Sequence, residues 1–262
     1  MDLKLKGKVA IIGGSSKGLG KGCALQLAKE GANIVICANE IISLKNSKEE
    51  ILALGVDVLA LEVDMSNAED NKRIVDETIK RFGRVDILIN NSGGPKPGTF
   101  FNFKIEDWNK AYNDVLLYVV RMINYVVPYM KAQNFGRIIN ITSLSVKEPA
   151  ETLILSNVFR SGVVAMARSL TKELIKNGIT INNICPGAFK TDRAVELMAI
   201  AAKNQNITIE EVEKNAVKNM PLGRYQTPQE LGDLVTFLCS DSARGITGTT
   251  TQIDGGIYNG LL

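Results

Sequence analysis

Seven short runs of apolar, mostly β-branched residues recur along this chain of 262 residues. Each of the first six is followed by a longer stretch in which apolar residues recur with the period of a helix. The short runs show no polar alternation, so the strands they form are buried on both faces, which is typical of a parallel sheet covered by helices on each side. We therefore predict one doubly wound α/β domain over residues 1–262, with a seven-stranded parallel sheet.

The bounds of the elements follow from the same runs. The predicted strands are Lys8–Ile12, Asn33–Cys37, Asp57–Val63, Val85–Asn90, Arg137–Thr142, Thr180–Cys185 and Thr250–Ile253. The predicted helices are Leu19–Glu30, Ser43–Leu54, Asn67–Phe82, Ile105–Ala132, Leu155–Asn177 and Thr227–Ser240, with a polar helical segment at Lys190–Met220. Asn67 or Ser66 is the expected N-cap of the third helix. Pro128 predicts a bend in the long fourth helix.

The composition excludes several kinds of function. The net charge is +3 and the lysines and arginines are dispersed among acidic residues, so no basic block predicts a nucleic-acid partner. No apolar run approaches the roughly 18 residues of a membrane span, and the first residues do not resemble a signal peptide. The cysteines form no C-x-x-C pair and are expected to be buried thiols of a cytoplasmic protein; they are Cys23, Cys37, Cys185 and Cys239.

The chain contains no histidine. The commonest general base and the commonest metal ligand of proteins are therefore both missing. We predict no metal site, and any proton transfer has to use hydroxyls, carboxylates, lysine or a cofactor.

A glycine-rich segment, Gly13–Gly20, lies between the first predicted strand and the first predicted helix. In such a loop Gly14 permits the tight turn, Gly18 lets the backbone approach a pyrophosphate, and Gly20 lets the helix pack against the sheet. Free N–H groups at the start of the helix then face the phosphates. The segment predicts a Rossmann-type site for a nicotinamide dinucleotide, the alternative being a glycine-rich turn without a ligand.

Further motifs follow this segment in order. They are Asp64 after the third strand, Asn90-Asn91-Ser92-Gly93 at the end of the fourth, Pro186-Gly187 with Thr191 four residues later, Pro221-Leu222-Gly223-Arg224, Ile246-Thr247-Gly248 and Asp254-Gly255-Gly256. Together with the G-x-x-x-G-x-G spacing of the glycines, they resemble the short-chain dehydrogenase/reductase family over nearly all of residues 5–258. The run of motifs is most similar to that of the 3-oxoacyl-carrier-protein reductases within the family.

The resemblance implies a set of cofactor-binding residues. They are Gly14, Ser16, Lys17, Gly18, Leu19, Gly20, Asn39, Asp64, Met65, Asn91, Gly93, Arg160, Pro186, Gly187, Phe189 and Thr191. Lys17 precedes the second glycine of the motif, where a basic residue favours the phosphate of NADP. Glu40 follows the second strand, where an acidic residue would hold the ribose hydroxyls of NAD. NADP is the predicted cofactor, with NAD as the alternative.

The resemblance also implies four catalytic side chains, an Asn, a Ser, a Tyr and a Lys, and this chain has only the serine. Ser143 ends the fifth predicted strand, as the family pattern requires. The Tyr position, thirteen residues later, is Ser156, and the Lys position is Arg160. The Asn position, seven residues after Trp108, is Val115. The predicted catalytic residues are therefore Ser143, Ser156 and Arg160.

These replacements weaken proton delivery more than hydride transfer. A serine hydroxyl is a much weaker acid than a tyrosine beside a cation, whereas hydride transfer needs little from the protein beyond positioning. Ser156 and Arg160 are four residues apart and share one helix face, so both are expected at the nicotinamide pocket. Substitute proton donors, each with a packing or surface role as the alternative, are Lys147, Glu148, Glu151, Asp192 and Tyr118.

Three functions are compatible with these residues. The first is an oxidoreductase that transfers hydride between NADP(H) and a carbonyl or alcohol substrate, with acyl thioesters as one substrate class. The second is a dinucleotide-binding protein with impaired catalysis, acting as a sensor or assembly subunit. The third is a lyase or dehalogenase; halohydrin dehalogenases of this superfamily keep the Tyr and lose the glycine-rich loop, which is the reverse of the pattern here.

The resemblance further implies a homotetramer or a homodimer, and a substrate lid at about residues 190–220. Met198, Ile200 and Val212 predict an apolar underside for this lid, and hence an apolar substrate.

Overall fold

Seven parallel strands form the centre of the molecule in the computed structural model, which describes residues 2–261. They are β1 (Val9–Ile12), β2 (Asn33–Ala38), β3 (Val58–Glu62), β4 (Ile87–Asn90), β5 (Gly136–Ile141), β6 (Ile179–Pro186) and β7 (Thr250–Ile253). Their order across the sheet is β3-β2-β1-β4-β5-β6-β7. The predicted doubly wound fold is confirmed, and the order reverses between β1 and β4, where sheets of this kind bind ligands at the carboxyl ends of their strands.

Helices cover both faces of this sheet. They are α1 (Gly18–Lys29), α2 (Ile41–Leu52), α3 (Ala68–Phe82), α4 (Ile105–Ala111), α5 (Tyr118–Ala132), α6 (Ile154–Leu174), α7 (Asp192–Gln205), α8 (Ile209–Val217) and α9 (Pro228–Cys239). One buried cluster joins α1, α2 and α9 to the sheet, and a second cluster joins α3, α5 and α6 to its other face.

Strand β2 shows how the sequence produces two cores. Ile34 and Ile36 pack into the first cluster, whereas Val35 and Cys37 pack into the second. Successive side chains of a strand point to opposite faces of the sheet, so a run of consecutive apolar residues fills both layers. The uninterrupted apolar runs that predicted the fold are therefore the residues that hold the helices on each side.

The long predicted helix at Ile105–Ala132 is interrupted, and not where we expected. Residues Tyr112–Leu117 form a π-helical stretch between α4 and α5, while α5 continues through Pro128 to Ala132. The amide of Tyr118 donates to the carbonyl of Asn113, five residues back. Stretches of this type are rare and are frequently found at functional sites. The bend predicted at Pro128 stays a prediction, because a proline can bend a helix without ending it.

The segment at 190–220 consists of α7, α8 and their connection. Met198 is buried on the inner side of α7, as predicted, but Ile200 is 57% exposed. The prediction for Ile200 was wrong because two residues of a helix turn the side chain by about 200° at 3.6 residues per turn. Met198 and Ala202 form the buried stripe instead, four residues apart.

The other predicted bounds differ from the structure by at most three residues, the usual scatter at element ends. Asn67 is confirmed as the N-cap of α3, since its side chain accepts hydrogen bonds from the amides of Glu69 and Asp70. All the cysteines are buried and free, as predicted. No helix within residues 2–261 is long and apolar enough to cross a membrane, and the same residues contain no cluster of metal-ligating side chains.

Candidate active site

A groove of about 600 Å³ runs along the carboxyl ends of the strands at the point where the strand order reverses. All but four of the predicted cofactor residues line it: Gly14, Ser16, Lys17, Gly18, Leu19, Asn39, Asp64, Met65, Asn91, Gly93, Arg160 and Thr191. The predicted residues that do not line it are Gly20, Pro186, Gly187 and Phe189. A concave site of this volume is of the size that holds a small molecule or a cofactor.

Asn91 fastens the glycine-rich loop to the end of β4. Its Nδ2 donates to the carbonyls of Gly13 and Gly14, at 3.0 and 3.2 Å. A Cβ added at Gly14, whose φ is +53°, would lie 2.9 Å from this Nδ2, and one added at Gly20 would lie 2.8 Å from it. Glycines at these positions therefore let the loop sit directly on the sheet, with its backbone open to the groove.

Helix α1 begins at the same loop. Lys17 precedes it without a side-chain cap, and the first turn carries no acidic residue. The first amides of a helix have no partner inside the helix and carry its positive dipole end. The start of α1 therefore offers an anion site in the groove.

Lys17 and Glu40 contact each other. The Lys17 Nζ lies 2.9 Å from Glu40 Oε1, and the Ser43 hydroxyl donates to the other carboxylate oxygen at 2.9 Å. The hydrogen bond from Lys17 is the main cause that lowers the pKa of Glu40, and the same bond raises the pKa of Lys17. In the sequence, Lys17 favours NADP and Glu40 favours NAD. In the structure, the two side chains form one ion pair.

The predicted serines meet through a third serine. The Ser143 side chain accepts a hydrogen bond from the Ser145 amide at 3.1 Å. The hydroxyls of Ser145 and Ser156 are 3.2 Å apart and buried. Ser145 was missed at the sequence level, although it lies only two residues after Ser143 in the 3₁₀ turn Leu144–Val146.

Arg160 shares the buried face of α6 with Ser156, as predicted. Its Nη1 donates to the carbonyl of Ile141 at 2.8 Å, and no carboxylate of residues 2–261 forms an ion pair with it. Burial lowers its pKa from the ordinary arginine value, an effect that Tyr118 and Cys185 partly oppose. Because Arg160 also lines the groove, its unpaired charge is available to a ligand there.

The other candidate proton donors lie in different surroundings. Lys147 stands 5.5 Å above the Tyr258 ring. Glu148 and Glu151 are exposed and do not line the groove, whereas Asp192 does. Tyr118 is 1% exposed, and burial raises its pKa.

Part of the groove wall consists of residues that the sequence did not predict. Lys110 and Asp114 reach it from α4 and the π-helical stretch and pair at 2.7 Å. Their positions depend on how the long helix packs, for which the local sequence carries no signal. The other unpredicted lining residues are Ala38, Val63, Ser66, Ser92, Gly94, Ile141, Thr142 and Arg193. Half of them end a strand or directly follow one, and that position is the signal that could have identified them.

A ladder of buried asparagine amides crosses the sheet beside the groove. Asn90 Nδ2 donates to Asn140 Oδ1 at 2.8 Å, and Asn140 Nδ2 donates to Asn183 Oδ1 at 3.0 Å. Asn183 Nδ2 then donates to Thr250 Oγ1 at 3.2 Å. Each amide thus fixes the orientation of the next, from the edge strand β7 to the end of β4.

The fold and the groove define a Rossmann-type protein with a concave site at its strand ends. A family model described as enoyl-(acyl carrier protein) reductase matches residues 14–258. The chain belongs to the short-chain dehydrogenase/reductase family.

Several known proteins are similar to this chain over nearly their whole length. The 3-oxoacyl-[acyl-carrier-protein] reductase FabG of Staphylococcus aureus is 31% identical, over 96% of this chain and 98% of its own. The L-sorbose reductase of Gluconobacter frateurii, solved with NADPH and L-sorbose, superposes with a TM-score of 0.96 at 30% identity, covering 100% of both chains. A 7α-hydroxysteroid dehydrogenase, solved with NADH and 7-oxo glycochenodeoxycholic acid, has a TM-score of 0.86 at 29% identity, with 97% of this chain and 96% of its own covered.

Proposed function

We propose that this protein is an oxidoreductase that transfers hydride between NADP(H) and a carbonyl or alcohol substrate. The observation that carries the proposal is the groove, in which the glycine-rich loop and the buried cation of Arg160 line the same concave surface. The family and the ligands of the named relatives support the same activity. An acyl thioester is one substrate class, from the similarity to the S. aureus reductase.

The residues present fit a dinucleotide. Any side chain at Gly14 or Gly20 would collide with Asn91, so the backbone of the glycine-rich loop cannot be covered by side chains there. The amides at the start of α1 would hold the pyrophosphate, Lys17 the ribose phosphate that distinguishes NADP, and Asp64 the adenine end. NAD remains the alternative because Glu40 competes for Lys17. The bound cofactor supplies the hydride.

The residues that would supply the proton differ from those of the family pattern. Ser143 would hold the substrate oxygen, Ser156 would relay a proton from solvent to that oxygen through a water molecule, and Arg160 would hold the ribose or stabilise negative charge on oxygen. General acid catalysis contributes about 10²–10⁴-fold in rate. We therefore expect turnover that is slow by comparison with a tyrosine-containing relative.

Nucleotide binding without turnover is the second candidate function. The Ser156 hydroxyl is buried and already paired with Ser145, which favours a structural role for it. In that case the intact glycine-rich loop would make the protein a sensor of NADPH or an assembly subunit.

The two functions are separated by binding and turnover measured on one preparation. NADPH and NADH are titrated while cofactor fluorescence is followed, and a panel of ketones and acyl thioesters is then added. Oxidation of NADPH by any member of the panel supports the oxidoreductase, binding alone supports the sensor, and absence of binding refutes both. The double variant Ser156→Tyr, Arg160→Lys restores the family's pair and should raise turnover, whereas Val158→Tyr, on the exposed face of α6, is the control.

An exposed aromatic face favours self-association, as the family resemblance predicted. Phe101 is 93% exposed and Ile105 is 67% exposed. Beside them, Trp108 makes edge-to-face contacts with the rings of Phe100 and Phe159, at centroid separations of 5.7 and 5.9 Å. A contiguous apolar patch of this kind marks an interaction surface. We propose that α4 and α6 form the contact between copies of this chain in a homodimer or homotetramer.

A further inference from the structure

A small cavity adjoins the groove. Asn90, Val115, Tyr118 and Arg160 are among the residues that line it, and Arg160 also lines the groove. The cavity volume is about 10 Å³. A polar cavity of roughly 10–15 Å³ has room for one water molecule.

Two buried polar atoms of the cavity wall have no protein partner within residues 2–261. One is the hydroxyl of Tyr118 and the other is Oδ1 of Asn90. Both side chains belong to residues that are at most 2% exposed. Buried polar groups of folded proteins are nearly always hydrogen-bonded, to protein or to ordered water. Two unpaired atoms at one water-sized cavity therefore point to a ligand that can pair with both.

The asparagine ladder determines which Asn90 atom is left over. Its Nδ2 is committed to Asn140 Oδ1, and Asn140 is committed in turn to Asn183. Exchanging the oxygen and nitrogen of Asn90 would place two oxygens against each other. The free atom is therefore an acceptor, and its partner in the cavity has to be a donor.

Arg160 supplies the third side of the site. A guanidinium has five N–H groups, and the one acceptor that Arg160 has among residues 2–261 is the carbonyl of Ile141. Tyr118 lies close enough for its hydroxyl and the Arg160 charge to affect each other's pKa, each favouring the charged form of the other. Burial raises the pKa of Tyr118, so the phenol stays neutral and keeps its O–H as a donor.

We propose that this cavity is a specific site for one water molecule, which accepts hydrogen bonds from Arg160 and the Tyr118 hydroxyl and donates one to Asn90 Oδ1. Tyr118 is then a positioning residue, since it holds the Arg160 guanidinium toward the groove through this water. The consequence for the cofactor rests on the proposed function; the water site itself does not.

The first test compares NADPH binding by Tyr118→Phe with binding by the wild type. Tyr125→Phe, on the same helix and away from the cavity, is the matched control. Loss of one net hydrogen bond in the network should raise the NADPH dissociation constant roughly 3- to 10-fold, and Tyr125→Phe should leave it unchanged. A wild type that binds NADPH and a Tyr118→Phe variant that binds it equally well would overturn the inference, whereas a wild type that does not bind refutes the proposed function.

Coupling to Arg160 and direct observation complete the test. In an Arg160→Met background, Tyr118→Phe should have no further effect on the NADPH dissociation constant, because the group that Tyr118 positions is gone. An undiminished effect there would assign Tyr118 a purely structural role and overturn the proposal that it positions Arg160.

A crystal structure of the wild type that resolves individual waters should show one within hydrogen-bonding distance of Tyr118, Asn90 and Arg160. An empty cavity there overturns the site whatever the variants do.

Discussion

The carboxylate of Asp192 accepts a hydrogen bond from the backbone amide of Gly18, at 3.2 Å. Asp192 is the first residue of α7, and Gly18 is the first residue of α1. A side-chain anion of the segment at 190–220 thus accepts from one of the amides that would hold the pyrophosphate. We expect binding of NADP(H) to displace this carboxylate.

Asp192→Asn should therefore tighten NADPH binding. The amide side chain removes a negative charge beside the phosphates, at a helix N-terminus where one charge is worth about 0.3–1 kcal/mol, or roughly 2- to 5-fold in the dissociation constant. Fluorescence titration at low and high salt measures the change, which should shrink as salt is added. Glu210→Gln, in α8 and outside the groove, is the control for net charge. Weaker binding by Asp192→Asn would mean that the carboxylate helps to hold the cofactor.

Glu40→Gln should increase the preference for NADPH over NADH. The change frees Lys17 from the pair at 2.9 Å, so its charge is available to a ribose phosphate. Exposed pairs are weak, and the ratio of the two dissociation constants should change roughly 2- to 5-fold. Glu50→Gln breaks a similar exposed pair with Lys21, at 2.7 Å and outside the groove. An equal response to both variants would show that the effect is only one of net charge.

Gly14→Ala should abolish nucleotide binding and lower stability. The added Cβ would meet Asn91 at 2.9 Å, in a residue whose φ is +53°. Gly55→Ala separates the two causes, because its φ is +82° but nothing lies within 4 Å of the added atom. Each variant loses about 1–2 kcal/mol to the left-handed backbone, so thermal melts should place Gly14→Ala well below Gly55→Ala. Similar melting temperatures would indicate that the loop gives way and Asn91 holds it only loosely.

Glu230 predicts a pH dependence of stability. Hydrogen bonds from Arg224, then from Thr227, lower its pKa from 4.5 to about 2. The carboxylate therefore stabilises the fold fully above pH 4.5, and this contribution decreases below that pH and is lost as the pH falls through about 2. Glu230→Gln should cost roughly 0.5–1 kcal/mol of unfolding free energy at pH 7 and much less near pH 2, as measured by urea unfolding across pH. Glu211 belongs to the same type of capping box, in α8, but has no arginine partner among residues 2–261. Glu211→Gln should therefore lower the free energy of unfolding by less than Glu230→Gln does.

The aromatic face predicts the oligomeric state. Ile105→Lys and Phe101→Ser should shift the protein toward the monomer in sedimentation velocity, because a charge or a lost ring at the centre of an apolar contact destabilises association. Ile42→Lys, 74% exposed on α2, is the control for surface charge. A wild-type protein that sediments as a monomer at all concentrations would refute the proposed contact.

The sequence was sufficient for the sheet because strands such as β2 are buried on both faces and show it in their composition. It was also sufficient for the loop, since Gly14 and Gly20 occupy positions where a side chain does not fit. Residues at the ends of strands could also be assigned to the groove, because the topology brings the carboxyl ends of the strands together.

What the sequence could not supply were contacts that depend on how elements pack. Lys17 and Glu40 were legible as opposite charges, but not as partners of each other. The sequence also does not show that Ser145 lies between Ser143 and Ser156. Nor does it show that Tyr118 and Arg160 line the same cavity. These relationships depend on helix placement to within an ångström, which no periodicity encodes.

The asparagine ladder also bears on how the strands find their correct alignment. The strands it crosses are rich in isoleucine, and one isoleucine pairs about as well as the next. Asn90, Asn140, Asn183 and Thr250 are directly opposite one another in neighbouring strands. Asn140 lies between Ile139 and Ile141, so sliding β5 by one residue would turn its asparagine to the other face of the sheet, among aliphatic side chains, and would place an isoleucine opposite Asn90 and Asn183. The ladder therefore favours one register for β5 in a sheet that is otherwise largely apolar.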